Sequence, residues 1–197
     1  MSLSGDRNAP DGSRASAARP PQALNILVGY SGVHGSTHGV AERLATRLAE
    51  CGHVTVVVPL VAEQKTGGYD AFVLGSAIHH GAWLAQATDF IRSHPSTLAT
   101  HPTWLYSVGV PPHAGRWPAR HAAEPRQLAG IRSLIRPWDH QMMAGAIYRD
   151  HVPGWRHLAF RARGGRYGDH RDWKAVEGWA EHIHRRLVTA DGTATGL

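Results

Sequence analysis

The sequence predicts an α/β fold: a parallel sheet wound with helices on both faces. Three observations carry that expectation. Strand-like and helix-like segments alternate along the chain. The strand candidates are continuously apolar rather than alternating, as in strands buried on both faces. At 197 residues, 42% of them hydrophobic and 18% charged, the chain suits one globular domain better than two.

Residues 1–22 are rich in Gly, Ser, Ala, Pro and Arg and lack hydrophobic period, so they are expected to form a disordered leader. The domain itself is expected over residues 23–188, with 189–197 as a flexible tail. The apolar run 24–30 predicts the first strand. A loop over 31–37 follows, then a helix over 38–51 with Val40, Leu44 and Leu48 on one face and Gly52 as its stop. Residues 54–58 read as the second strand, and 71–76 as the third after a loop through Gly67 and Gly68. A helix over 82–94 would present Trp83, Ala87, Phe90 and Ile91. Residues 103–108 form the fourth strand and 110–122 a long polar loop with three prolines. A helix over 126–135 and a fifth strand over 141–147 come next. Asp172 can N-cap the last helix, whose Trp173, Val176, Trp179, Ile183 and Leu187 make an amphipathic stripe.

Net charge is +6, and its distribution is uneven. Residues 111–166 carry ten Arg against Glu124, Asp139 and Asp150, a local +7, while 1–22 contribute +1 and the two remaining segments −1 each. Only Lys65 and Lys174 are lysine. The single Cys51 excludes an intrachain disulfide framework and a cysteine-ligated metal cluster. No apolar run is long enough to cross a membrane, and no signal peptide is evident, so a cytoplasmic location is expected.

Ligands of doubly wound sheets bind beyond the carboxyl ends of the strands. The loops leaving strands one, three and four are therefore the ones that matter. The first contains Ser31, Gly32, His34, Gly35, Ser36 and Thr37, where glycines permit close approach and hydroxyls stand beside the open N–H groups of a helix start. Neither the G-x-G-x-x-G fingerprint nor the Walker lysine is present, which argues against a dinucleotide or nucleoside triphosphate. The second loop holds Ser76, Ala77, Ile78, His79, His80 and Gly81; its histidine pair has no companion ligands at metal spacing, so no metal is expected. The third holds Ser107, Val108, Gly109 and Val110. No nucleophile–base set is placed at motif spacing, and no catalytic side chain is expected.

The first of these loops resembles the phosphate loop of the flavodoxin family, roughly T-x-T-G-x-T between first strand and first helix. Gly35 and Thr37 match, Ser36 is a polar substitute, and Gly32 and His34 stand where the family has hydroxyls. The resemblance implies a five-stranded sheet in the order 2-1-3-4-5 and FMN as cofactor. Ser31, Gly32, His34, Gly35, Ser36 and Thr37 would surround its phosphate. Ser76, Ala77, Ile78, His79 and Gly81, with Ser107, Val108, Gly109 and Val110, would follow the flavin edge. Tyr106 to Val108, residues 143–147 and Asp172-Trp173 also resemble the flavodoxin-like menaquinone-dependent protoporphyrinogen dehydrogenases. That similarity implies an oxidoreductase passing electrons from a reduced organic substrate to a quinone or another acceptor. A flavodoxin-type electron carrier and a cofactor-less binding module are the alternatives. The basic segment opposes the carrier, because carriers of this family are acidic. It also permits nucleic acid, although no nucleic-acid motif supports that partner. With Arg116, Arg120, Arg149 and Arg156 it would suit an anionic substrate or an anionic membrane surface.

Overall fold

Residues 23–109, 124–148 and 167–194 are described by a computed structural model. In chain order the elements are β1 (Asn25–Ser31), α1 (Ser36–Glu50), β2 (Val54–Pro59), β3 (Ala71–His79), β4 (Ala82–Trp83), α2 (Ala85–Ser93), α3 (Pro95–Thr100), β5 (Thr103–Gly109), α4 (Leu128–Ile135), β6 (Asp139–Ala144), β7 (Ala146–Ile147), β8 (Gly168–Asp169) and α5 (Trp173–Ala194). Five strands run parallel in the order β2-β1-β3-β5-β6. Counting the long strands alone, this is the expected flavodoxin-like order, with β4 added antiparallel to β3.

Strand alternation divides the core into two layers. Ile26, Val28, Val73, Trp104 and Tyr106 face α1 and α5, meeting Val40, Leu44, Leu48, Val176, Trp179 and Ile183. Leu27, Phe72, Leu74 and Leu105 face the other way, toward Phe90 and Ile91 of α2, Leu98 of α3 and Leu128, Ile131 and Ile135 of α4. Tyr106 is fully buried, and its hydroxyl donates to the Gly29 carbonyl at 3.1 Å. Burial pushes that phenol's pKa far up. Helix α1 ends in a Schellman arrangement: His53 N–H reaches the Leu48 carbonyl at 3.2 Å and Gly52 N–H the Ala49 carbonyl at 2.9 Å.

Besides shifts of one to three residues at other element ends, such as β3 running on through His79, the boundaries differ from the sequence expectations at four places. The helix expected from residue 82 begins at Ala85, because His80 and Gly81 both have positive φ (49° and 72°) and make a two-residue turn that pairs Ala82–Trp83 with β3. Pro95 stops α2 and opens α3 as its first residue. The fifth long strand ends at Ala144; past Gly145, β7 leaves the parallel sheet and pairs with β8. The last helix is capped by Asp172, whose Oδ1 accepts from Ala175 N–H at 3.0 Å, and continues to Ala194. Residues 189–194, expected within a tail, are therefore helical. No proline interrupts them. The expected leader, residues 1–22, lies outside the described residues.

Candidate functional site

Parallel strands carry their C-terminal ends to one edge, and the open loops of β1, β3, β5 and β6 meet there. They enclose a cavity of about 390 Å³. Val33, His34, Ser36 and Thr37 line it from the β1–α1 connection, Ala77, Ile78 and His79 from β3, and Leu84 from beyond the hairpin. Val108 and Gly109 line it from β5, Gly145 and Ala146 from the β6–β7 turn.

The first wall is the start of α1. Gly35 precedes it with φ of 76°, and the N-cap makes no side-chain hydrogen bond among the described residues, so the helix start can offer N–H groups to a ligand or solvent. Thr37 is buried against the loop: a Cβ on Gly32 would lie 2.7 Å from its Oγ1. Ser36 Oγ accepts from Ala146 N–H at 2.8 Å, and Gly145 N–H donates to the Gly109 carbonyl at 2.7 Å. These two bonds fasten the β6–β7 turn across the ends of α1 and β5. The approach is close, since a Cβ on Gly145 would lie 3.0 Å from both Ser36 Oγ and Val108 Cγ1.

The second wall is the β3–β4 hairpin. Its turn is held from outside by Arg126, whose Nη2 donates to the His80 carbonyl at 3.0 Å and whose N–H donates to the Gly81 carbonyl at 3.1 Å. The His79 and His80 rings meet edge to face, 4.2 Å between centroids. Among the described residues no group of three or more His, Cys, Asp or Glu could hold a metal ion. His140 lies behind this hairpin, on β6. Burial, with the nearby Arg132 charge, pushes its pKa down to about 4 against the smaller upward pull of Glu124 and Asp139.

Eight of the expected site residues line the cavity: His34, Ser36, Thr37, Ala77, Ile78, His79, Val108 and Gly109. Ser31, Gly32 and Gly35 shape the first loop without lining it, and Gly81 sits at the hairpin turn. Two others turn their side chains away from the cavity. Ser76 is fully buried and its Oγ is used by Leu84 N–H at 3.0 Å and the Ala77 carbonyl at 2.9 Å. Ser107 is likewise fully buried, between the Trp83 indole at 2.7 Å and His140 Nε2 at 2.8 Å. Val110, Arg116, Arg120, Arg149 and Arg156 lie outside the described residues. The sequence reading missed Val33, Leu84, Gly145 and Ala146 as lining residues. A signal for the last two existed, because they close the fifth apolar strand and must reach the same edge of a parallel sheet.

A family model described as a flavodoxin domain matches residues 27–160. Among curated proteins, those named protoporphyrinogen IX dehydrogenase [quinone] from Escherichia coli strains are 26% identical over 174 residues, covering 81% of this chain and 94% of theirs. Among solved structures, an archaeal flavodoxin superposes with a TM-score of 0.54 at 11% identity, covering 83% of this chain and 99% of its own. Flavodoxin 2 from Bacillus cereus gives 0.54 at 14% identity, covering 82% and 99%. Rubredoxin oxygen:oxidoreductase from Desulfovibrio gigas gives 0.55 at 12% identity, over 85% of this chain and 37% of that one. These structural likenesses establish the fold. No described helix is long and apolar enough to cross a membrane.

Proposed function

The chain belongs to the flavodoxin domain family, and on that premise we propose that it binds FMN and acts as an oxidoreductase, passing electrons from a reduced organic substrate to a quinone or similar acceptor. The single observation behind this reading is the cavity. It joins an uncapped helix start, with Ser36 and Thr37, to a slot walled by Ala77, Ile78, Leu84, Val108 and two glycines. A phosphate suits the first half, where N–H groups and hydroxyls converge on the positive end of a helix dipole. A flat aromatic ring suits the second, where no lining side chain is charged at neutral pH apart from what His34 and His79 contribute when protonated. Its volume lies at the small end of the range of about 300–1,000 Å³ usual for cofactor sites.

FMN would supply the electron-accepting ring; the protein's part is to bind and orient it. Ser36 would hold the phosphate while its oxygen keeps the β6–β7 turn in place through Ala146 N–H. Ile78 and Val108 would bracket the ring and exclude water. The curated relatives' name supports a quinone acceptor and a porphyrinogen-like substrate. The +7 segment, residues 111–166, supports an anionic substrate and opposes an acidic-carrier role. A cytoplasmic protein with peripheral contact to an anionic membrane belongs to the same reading.

The absorbance spectrum of the purified protein, with and without added FMN, tests the cofactor. A flavin spectrum that stays with the protein on gel filtration is expected; no uptake at micromolar FMN refutes it. Turnover of protoporphyrinogen with a soluble quinone then tests the substrate class. Exclusive one-electron exchange with a redox partner would make it a carrier instead.

A further inference from the structure

The β3–β4 hairpin has a buried back as well as a cavity face. Trp83 stands opposite Ile78 in the hairpin register, and its side chain enters the core between α2 and β5, only 3% exposed. There its Nε1–H donates to Ser107 Oγ at 2.7 Å, and that hydroxyl lies 2.8 Å from His140 Nε2. The hydroxyl oxygen accepts from the indole, and with its second lone pair and its own proton it can accept from or donate to Nε2, according to the tautomer of the imidazole. Nδ1 faces Glu124 Oε1 at 3.8 Å, a carboxylate gripped by both Arg132 nitrogens at 2.8 Å. The backbone of Trp83 is tied too, its N–H donating to Gln127 Oε1 at 3.1 Å.

A two-residue strand has almost no ladder to fix its angle, and an isolated hairpin is marginal in water. Apolar packing alone is non-directional, whereas a fully satisfied buried hydrogen-bond chain specifies one arrangement. The chain Trp83–Ser107–His140 connects β4, β5 and β6, and neither Ser107 nor His140 lines the cavity. We propose that Ser107 and His140 are positioning residues of the cavity, fixing through the Trp83 indole the hairpin that presents Ile78 and His79 to the flavin. The claim about the flavin rests on the FMN reading; the clamp itself does not.

The test uses the full chain and four variants: Trp83→Phe, Ser107→Ala, His140→Leu and His140→Gln, the last keeping an acceptor for the Ser107 hydroxyl. Two quantities are read. In the protein without FMN, amide hydrogen exchange over residues 78–84 is expected to quicken about tenfold in the first three variants and to stay near wild type in His140→Gln. In FMN titrations followed by fluorescence quenching, Kd is expected to rise about tenfold in the same three, with rescue by His140→Gln. The Trp83→Phe/His140→Leu double variant should be no weaker than either single one. Unchanged exchange over 78–84 in Trp83→Phe and Ser107→Ala overturns the clamp, even if His140→Leu fails to fold. Quickened exchange with wild-type FMN affinity, or single-variant effects that multiply, overturns the positioning role. A wild-type protein that takes up no FMN sinks the flavin reading separately, and the exchange data then decide the clamp.

Discussion

His140 makes acid stability a sharp test of the buried chain behind the cavity. Its imidazole side chain is 2% exposed, and burial with the Arg132 charge lowers its pKa from 6.5 to about 4. The folded protein therefore holds it neutral while the unfolded chain accepts a proton near pH 6.5. Stability from this group is complete above pH 6.5 and is lost as pH falls toward 4, because the unfolded state binds more protons throughout that window. Lowering it from 6.5 to about 4 corresponds to about 3 kcal/mol, of which about 2 kcal/mol is lost between pH 7 and pH 5. His53 is also lowered, by burial and by the neighbouring His184, and acts with the same sign. Asp169 is lowered by its Arg171 hydrogen bond, so its loss begins only below about pH 4, beneath the histidine window. The assay is urea unfolding at pH 7 and pH 5 for wild type and His140→Gln, followed by circular dichroism. The variant should lose about 2 kcal/mol less than wild type over that interval. Equal losses in the two proteins, or an NMR titration placing His140 near pH 6.5, would refute the reasoning.

Three further outcomes follow from contacts elsewhere. Gly75→Ala should be severely destabilising, by about 3 kcal/mol in urea unfolding, because its Cβ would lie 2.1 Å from ring atoms of Tyr106, which is buried and anchored; a loss under half of that would show that the ring has room to move. Tyr106→Phe removes only the 3.1 Å bond to the Gly29 carbonyl and should cost about 1 kcal/mol by the same measurement, with the spectrum of any bound FMN unchanged. Ser36→Ala removes the acceptor of Ala146 N–H and should cost about 1 kcal/mol while weakening FMN binding several-fold, as read by fluorescence titration; wild-type FMN affinity would exclude Ser36 from the phosphate site.

Most of the fold was legible because the physical signals were local. Continuous apolar strands, the stop at Gly52, the cap at Asp172 and the stripe from Trp173 to Leu187 each reported on a few neighbouring residues. The hairpin was illegible for the opposite reason. His80-Gly81 is a weaker turn signal than Asn-Gly or Asp-Gly, and Ala82 to Ser93 reads as one amphipathic run. What forces Ala82 and Trp83 into a strand is tertiary: Gln127 and Arg126, more than forty positions along the chain, and the Ser107 hydroxyl beneath. Such partners leave no trace in a window of a dozen residues.

Ser76 and Ser107 show how strand alternation decides which way a hydroxyl points. Ser31, Ser76 and Ser107 pair in register across β1, β3 and β5, a row of hydroxyls at the strand ends that in sequence looks like a ligand-binding rim. Alternation decides otherwise. Ser76 falls on the face of Phe72 and Leu74, and Ser107 on the face of Leu105, so both point beneath the hairpin into the layer of α2 and α4. One position further along, Ala77 and Val108 line the cavity instead. Hydroxyls enclosed in an apolar layer must find partners, and these do: Ser76 caps Leu84 N–H, and Ser107 joins Trp83 to His140. These two hydroxyls therefore build the wall behind the cavity, and Ala77 and Val108 beside them line it.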